Sequence, residues 1–170
     1  MKRALLLIAA LLLGVLAPAN AAPTTPSCAS IKVAKVSKGT LLPCLNGGAG
    51  TTFESIRGPV LVNVWGSWCE PCKQEIPLFV QIAQENKIQI VGIDVEERNM
   101  SAGRAFVAKH LMSWPQLYDA KAATRGIFGL GVPVTWFIDA QGEVVYKQIG
   151  LFTNSAQIKS LVKKYFKISL

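Results

Sequence analysis

The sequence predicts an α/β domain: one mixed central β-sheet flanked by helices, with a β-hairpin as an N-terminal extension. Three patterns carry the prediction. An apolar run at 59–65, a helical period over 69–86 and a second apolar run at 87–95 form a β-α-β arm. The strands of such an arm are parallel, across a right-handed crossover. Two later strands, 134–138 and 144–149, are joined by Asp139-Ala140-Gln141-Gly142, which allows only an antiparallel return. A sheet that combines the two needs helices to cover it.

Composition narrows the class. Of 170 residues, 51% are apolar and 16% charged, which excludes wholesale disorder and suits one domain with a substantial core. No second long apolar run follows the first twenty residues, so a polytopic membrane protein is excluded. No Gly-X-Y, heptad or solenoid period is present.

Residues 1–21 have the layout of a cleaved secretory signal. Lys2 and Arg3 precede an apolar run over 4–16, and Ala19-Asn20-Ala21 supplies the small-x-small cleavage pattern. An uncleaved N-terminal anchor is the alternative, opposed by Pro18 and Asn20. Cleavage removes Lys2 and Arg3 and no acid from a formal +8, leaving +6 on an extracytoplasmic chain. Residues 22–39 are a loose leader, Pro/Thr/Ser-rich at its start, and 40–170 form the folded domain. There, Asn46-Gly47-Gly48 marks the turn of a hairpin within 40–58. The strand at 59–65 has one polar interruption, Asn63. The helix at 69–86 places Ile76, Phe79, Val80 and Ile82 on its apolar positions and is expected to kink at Pro77. A helix over 101–111 takes Ser101 as its N-cap. A short strand at 116–118 and a short helix at 120–128 precede the late hairpin. The last helix, 154–166, is capped by Asn154 or Ser155. Lys159, Lys163, Lys164 and Lys167 lie on its solvated face, a pattern that does not indicate nucleic-acid binding.

Four cysteines, all in the exported part, allow three pairings. An exported chain meets an oxidising compartment where disulfides persist. Cys69 and Cys72 form a local C-x-x-C. If they join each other, Cys28 and Cys44 remain as partners, closing a structural loop of about 17 residues worth roughly 3 kcal/mol.

The run Trp65-Gly66-Ser67-Trp68-Cys69-Glu70-Pro71-Cys72-Lys73-Gln74-Glu75-Ile76-Pro77 resembles the active-site segment of the thioredoxin superfamily. In particular it is similar to the extracytoplasmic branch that includes TlpA, ResA and the cytochrome c maturation thioredoxins. Gly131-Val132-Pro133, followed by Thr135-Trp136-Phe137-Ile138-Asp139 and Gly142, is similar to the cis-proline loop and final hairpin of that family. The resemblance spans roughly 40–167 and implies a thioredoxin-like fold. It also implies that the Val132–Pro133 peptide is cis and that its loop pairs with an extended substrate segment. The match loosens over 126–131.

The residue types suit thiol chemistry in their own right. Only the thiolate attacks, and Cys69 at a helix N-terminus has free N–H groups and the helix dipole to stabilise it. Cys69 is then the exposed nucleophile and Cys72, one turn in, the buried resolving thiol. Pro71 suits an early helical position. Glu70, between the cysteines, opposes the dipole unless it is simply an exposed first-turn acid. Trp68 flanks the site and shapes the docking surface, whereas Trp65 belongs to the core. Glu75 lies three residues beyond Cys72 on the same helix side. Thioredoxin resembles this chain but carries a buried acid on the preceding strand, where Asn63 stands here. Glu75 is therefore the candidate proton acceptor for Cys72, against the alternative of a surface helix glutamate. His110, the one histidine, is expected at the surface.

Three function classes are open. Thiol–disulfide oxidoreductase is the first. A thiol peroxidase lacks its Pro-x-x-x-Thr-x-x-Cys pattern here. A metal carrier would use Cys-x-x-x-Cys with a distant histidine, whereas Cys-x-x-Cys with an internal proline favours redox work. The resemblance implies no cofactor beyond the redox-active Cys69–Cys72 disulfide, no metal, and a monomer. Its partners would be proteins with thiols or disulfides, such as apocytochrome c, and a membrane thiol transporter that supplies electrons. Glu70 and Glu75 both disfavour thiolate, which points to a reductant; an oxidase that introduces disulfides is the alternative.

Overall fold

The computed structural model describes residues 25–129 and 131–170, so the expected signal at 1–21 lies outside the described residues. A five-stranded sheet forms the centre. Strand β3 (Val60–Trp65) is its middle and every residue of it is buried. Strand β4 (Gln89–Val95) runs parallel to β3, and β5 (Gln116–Asp119) parallel to β4. On the other side β6 (Val134–Ile138) runs antiparallel to β3, and β7 (Val144–Ile149) antiparallel to β6. The order is thus β5-β4-β3-β6-β7, the mixed sheet that the two connections require.

Alternation along β3 divides the core. Leu61 and Trp65 join a cluster with Ile76, Phe79 and Ile82 of α1 (Glu70–Gln84), Phe106 of α2 (Met100–Lys109) and Ile158 and Val162 of α4 (Ser155–Phe166). Val60, Val62 and Val64 point the other way. Their cover is mostly the N-terminal segment: Cys28, Ile31, Leu42, Phe53 and Ile56, joined by Phe128 of the short α3 (Arg125–Phe128). Each such side chain contributes about 1.5–3 kcal/mol by leaving water.

Part of the leader expected at 22–39 is thereby pinned to the sheet. Residues 28–30 make one 3₁₀ turn, Val33 bridges Ile56, and the Arg57 N–H donates to the Lys32 carbonyl at 2.8 Å. Cys28 and Cys44 are joined, Cα to Cα 5.9 Å. Cys44 in turn lies against Leu117 at the edge of β5, where the Tyr118 N–H donates to the Pro43 carbonyl at 2.9 Å. The bridge thus fastens the leader to the sheet. The expected hairpin is minimal: β1 (Leu41–Leu42) and β2 (Thr51–Thr52) pair antiparallel, and Gly47 and Gly48 between them take the left-handed φ of +88° and +86°.

Helix α1 spans Pro77. Local expectations shift in two places. Asn99, not Ser101, caps α2: its Oδ1 accepts the Ala102 N–H at 3.0 Å, and Ser101 donates its hydroxyl to the same oxygen. The helix expected over 120–128 shrinks to α3, because the Asp119 carboxylate takes the N–H groups of Ala123 and Thr124, each at 2.8 Å, and holds a turn. For α4, Asn154 is the cap, accepting from the Gln157 N–H. No helix among the described residues is long and apolar enough to cross a membrane.

Replacing Cys28 and Cys44 together by serine should lower the unfolding free energy by about 3 kcal/mol, read from urea midpoints, because the loop closed by that bridge no longer restricts the unfolded chain. The reactivity of Cys69 should be unchanged.

Candidate active site

Strand β3 ends at Trp65, and Gly66-Ser67-Trp68 carries the chain to α1. Cys69 is the N-cap, its Sγ accepting the Cys72 N–H at 3.1 Å, and the two cysteines are joined. Pro71 sits in the first turn, where its missing N–H has no bond to lose. In this oxidised form Cys69 is only 4% exposed and Cys72 fully buried, so the expected exposed nucleophile is largely covered. Beside it Trp68 is 52% exposed and donates its indole N–H to the Val95 carbonyl at 3.3 Å. A Cβ on residue 66 would lie 2.6 Å from that indole nitrogen, which explains the glycine. Glu70 is exposed and paired with Lys73 at 2.9 Å.

The Val132–Pro133 peptide is cis. A second cis bond, Gly58–Pro59, has no counterpart among the expectations from sequence. Val134 pairs with Val64 in the antiparallel register, so the start of β6 and the end of β3 share one edge of the sheet. The cis-proline loop and the C-x-x-C loop are thereby at the same end of the molecule. Pro133 is buried and its carbonyl accepts the Gly150 N–H at 3.0 Å, while Val132 is half-buried. A cleft of about 60 Å³ opens beside Trp68 and Val132, floored by Val64, Val95 and Phe128, with the Arg125–Glu96 ion pair at its rim.

Glu75 is no surface glutamate. It is fully buried between α1, β3 and the segment leading into α4. Its Oε1 accepts from Asn63 Nδ2 at 2.7 Å and its Oε2 from the Phe152 N–H at 3.0 Å. Asn63 also donates to Thr135 Oγ1 at 3.2 Å. Burial pushes the Glu75 carboxyl up to about 7, against the opposing pull of the Phe152 and Asn63 donors. The strand position and the helix acid are therefore one hydrogen-bonded unit. Its remaining members, Thr135 and Phe152, had no local signal in the sequence.

Two further acids were not singled out by the sequence. Glu97 accepts the Ser67 N–H at 3.1 Å, and Asp94 is fully buried on β4. An acid inside the apolar run 89–95 was the available signal for Asp94. His110 is half-exposed, with its ring centroid 4.2 Å from that of Phe106. Burial first, then Lys109 and Lys73, lower its pKa. Among the described residues no three His, Cys, Asp or Glu side chains gather as a metal site.

The AhpC/TSA family model matches residues 38–147, more than half of the chain. The chain belongs to the AhpC/TSA family. Within that family it is similar to a thiol-disulfide oxidoreductase ResA of Bacillus thuringiensis (strain Al Hakam), 30% identical over 69% of each chain. It is also similar to a thiol:disulfide interchange protein DsbE of Pseudomonas fluorescens biotype C, 31% identical over 73% of this chain and 70% of the relative. Among solved structures, StoA of Bacillus subtilis matches with a TM-score of 0.60 at 21% identity, over 74% of this chain and 96% of that one. A secreted Mycobacterium tuberculosis disulfide oxidoreductase homologous to E. coli DsbE matches with a TM-score of 0.63 at 22% identity, over 74% and 95%. The fold is thioredoxin-like, and this AhpC/TSA member is a thiol–disulfide oxidoreductase of the TlpA/ResA/DsbE type.

The buried acid has a consequence for stability. The Glu75 carboxyl is raised from an ordinary 4.5 to about 7, so between those values the folded chain holds a proton that the unfolded chain releases. Its contribution is fully present below about pH 4.5 and is lost as pH rises to about 7, by up to about 3 kcal/mol. Urea midpoints across that range should fall less steeply in Glu75→Gln than in the wild type; equal slopes would refute the burial of an ionisable group there.

Proposed function

We propose that this chain is an extracytoplasmic reductant of protein disulfides, of the kind that keeps apocytochrome c haem-attachment cysteines reduced. The observation that carries the reading is the buried Glu75 carboxyl three residues beyond Cys72. The Cys69 thiolate attacks one sulfur of a substrate disulfide, forming a mixed disulfide and releasing the other substrate sulfur as a thiolate, which takes up a proton. Cys72 then loses its proton to the Glu75 carboxylate and attacks Cys69 Sγ. The second substrate sulfur leaves as a thiolate and takes up a proton, so the substrate is released as a dithiol and the Cys69–Cys72 disulfide has taken the oxidation. A proton acceptor with a pKa of about 7 is well matched to a working pH near neutrality.

Direction is set by charge. A buried acid three residues beyond Cys72 on the same helix and an exposed one at Glu70 both oppose thiolate formation, so the reduced pair gains little stabilisation and the disulfide is favoured. Such a pair gives its electrons away and must be recharged by a membrane thiol transporter. No cofactor beyond the two sulfurs is needed. The cleft beside Trp68 and Val132 offers apolar surface to the residues flanking a substrate cysteine. The signal-like residues 1–21 and the Cys28–Cys44 bridge support placement outside the cytoplasm.

Equilibration of the mature chain in defined thiol buffers, with Cys28–Cys44 intact, should give a Cys69–Cys72 potential near about −270 mV; a value near about −120 mV would make the protein an oxidase. In insulin reduction, Cys69→Ser should abolish turnover. Glu75→Gln should slow it at least about tenfold at pH 7 while the fold persists. Unchanged turnover in Glu75→Gln would remove the proposed proton acceptor.

A further inference from the structure

Asp94 is a second buried acid, and the mechanism above makes no use of it. It pairs in register with Trp65 of β3 on one side and Tyr118 of β5 on the other. It is fully buried, and neither carboxyl oxygen has a hydrogen-bond partner among the described residues. Helix α2 approaches it through Gly103, where any Cβ would collide with Asp94 Oδ2. A buried carboxyl without a donor is costly when charged.

Two of the three residues after Asp94, Val95 and Glu97, hold the active-site loop. Val95 accepts the Trp68 indole N–H through its carbonyl at 3.3 Å. The Glu97 carboxylate accepts the Ser67 N–H at 3.1 Å, and the Glu97 carbonyl accepts the Tyr118 hydroxyl at 3.2 Å. The turn closes on itself where the Cys69 N–H donates to the Gly66 carbonyl at 3.0 Å. Thus the stretch 95–97 grips both Ser67 and Trp68, the two residues ahead of Cys69.

We propose that Asp94 is a positioning residue for the thiol–disulfide reaction, acting through Glu97 on the Ser67-Trp68 turn that presents Cys69. It rests on the reading of Cys69 as the attacking thiol. Uncharged, Asp94 leaves the Glu97 carboxylate free to hold the Ser67 N–H. Ionised, it sets a second negative charge beside Glu97, loosens that grip and disfavours the Cys69 thiolate. The groups around Asp94 offer it no compensation. Trp65 gives its indole N–H to Gln116 Oε1 at 3.0 Å, and Tyr118 gives its hydroxyl to Glu97. Glu97 is itself acidic, and α2 approaches Asp94 with Gly103. The neighbouring Arg104 donates instead to the Leu45 carbonyl at 2.6 Å. Burial, and then the charge of Glu97, push Asp94 up to about 8, while burial followed by Asp94 and Glu97 raises Tyr118.

The test is the pH profile of Cys69 alkylation by iodoacetamide, read by mass spectrometry. It uses the reduced Cys69–Cys72 pair in the mature chain, with Cys28–Cys44 intact. The wild type should show, besides the titration of the thiol, a lag that sets in near pH 8. In Asp94→Asn that lag should vanish: rates equal to the wild type at pH 6 and about threefold higher above pH 8.5, the size expected of one partly screened charge. In Glu97→Gln, which keeps Asp94 but removes the neighbouring charge, the lag should begin at lower pH. This second variant decides the matter if Asp94→Asn does not fold. Superimposable profiles for the wild type and a folded Asp94→Asn, or an unmoved lag in Glu97→Gln, would overturn the positioning role alone. A Cys69 that is not alkylated at any pH would overturn the nucleophile assignment as well.

Discussion

The hydrogen bonds that tie Glu75 to Asn63 and to the Phe152 N–H connect three parts of the molecule. They join the central strand, the helix that carries both active-site cysteines, and the segment entering the last helix. The constraint is electrostatic. A carboxyl group is held where water does not reach, with two donors to soften its burial but no cation among the described residues to cancel it. The helix of Cys69 and Cys72 cannot shift against β3 without breaking that arrangement. The acid proposed for proton transfer and the register of helix on sheet are therefore one feature.

Around that pivot the two faces of the sheet are covered by different means. One face takes three amphipathic helices. The other takes the N-terminal segment, two-residue strands and a four-residue helix. Such short elements have little regular hydrogen bonding of their own, so their hold depends on buried apolar side chains and on the Cys28–Cys44 bridge. The two disulfides accordingly have opposite settings. One is fixed among Ile31, Leu42 and Leu117 in the apolar core. The other caps a helix beside an exposed tryptophan, where a partner's sulfur can approach.

Much of the architecture was legible from the chain. Apolar runs of strand length and a helical period each fix their element locally, and a four-residue connection fixes an antiparallel pair. What failed was local competition. Asn99 displaced Ser101 from the cap because its side chain reaches the N–H three residues on, and the Asp119 carboxylate took the N–H groups that a longer α3 would have needed. The leader is loose in composition, yet a few apolar residues and one cysteine suffice to dock it.

For the site, the sequence by itself determined the chemistry: two cysteines at C-x-x-C spacing, a helix start to receive the first, and an acid one turn beyond the second. Only the tertiary structure decided the environment of each group. The Glu75 carboxyl faces Asn63 and Phe152, twelve and seventy-seven residues away; burial raises its proton affinity, and those distant donors only temper the rise. Asp94 is orphaned and Glu97 holds Ser67 because β3 and β4 end side by side. Spacing along a chain specifies which groups share a helix turn. Desolvation and charge depend on what the rest of the fold brings up against them, and no short stretch of sequence contains that.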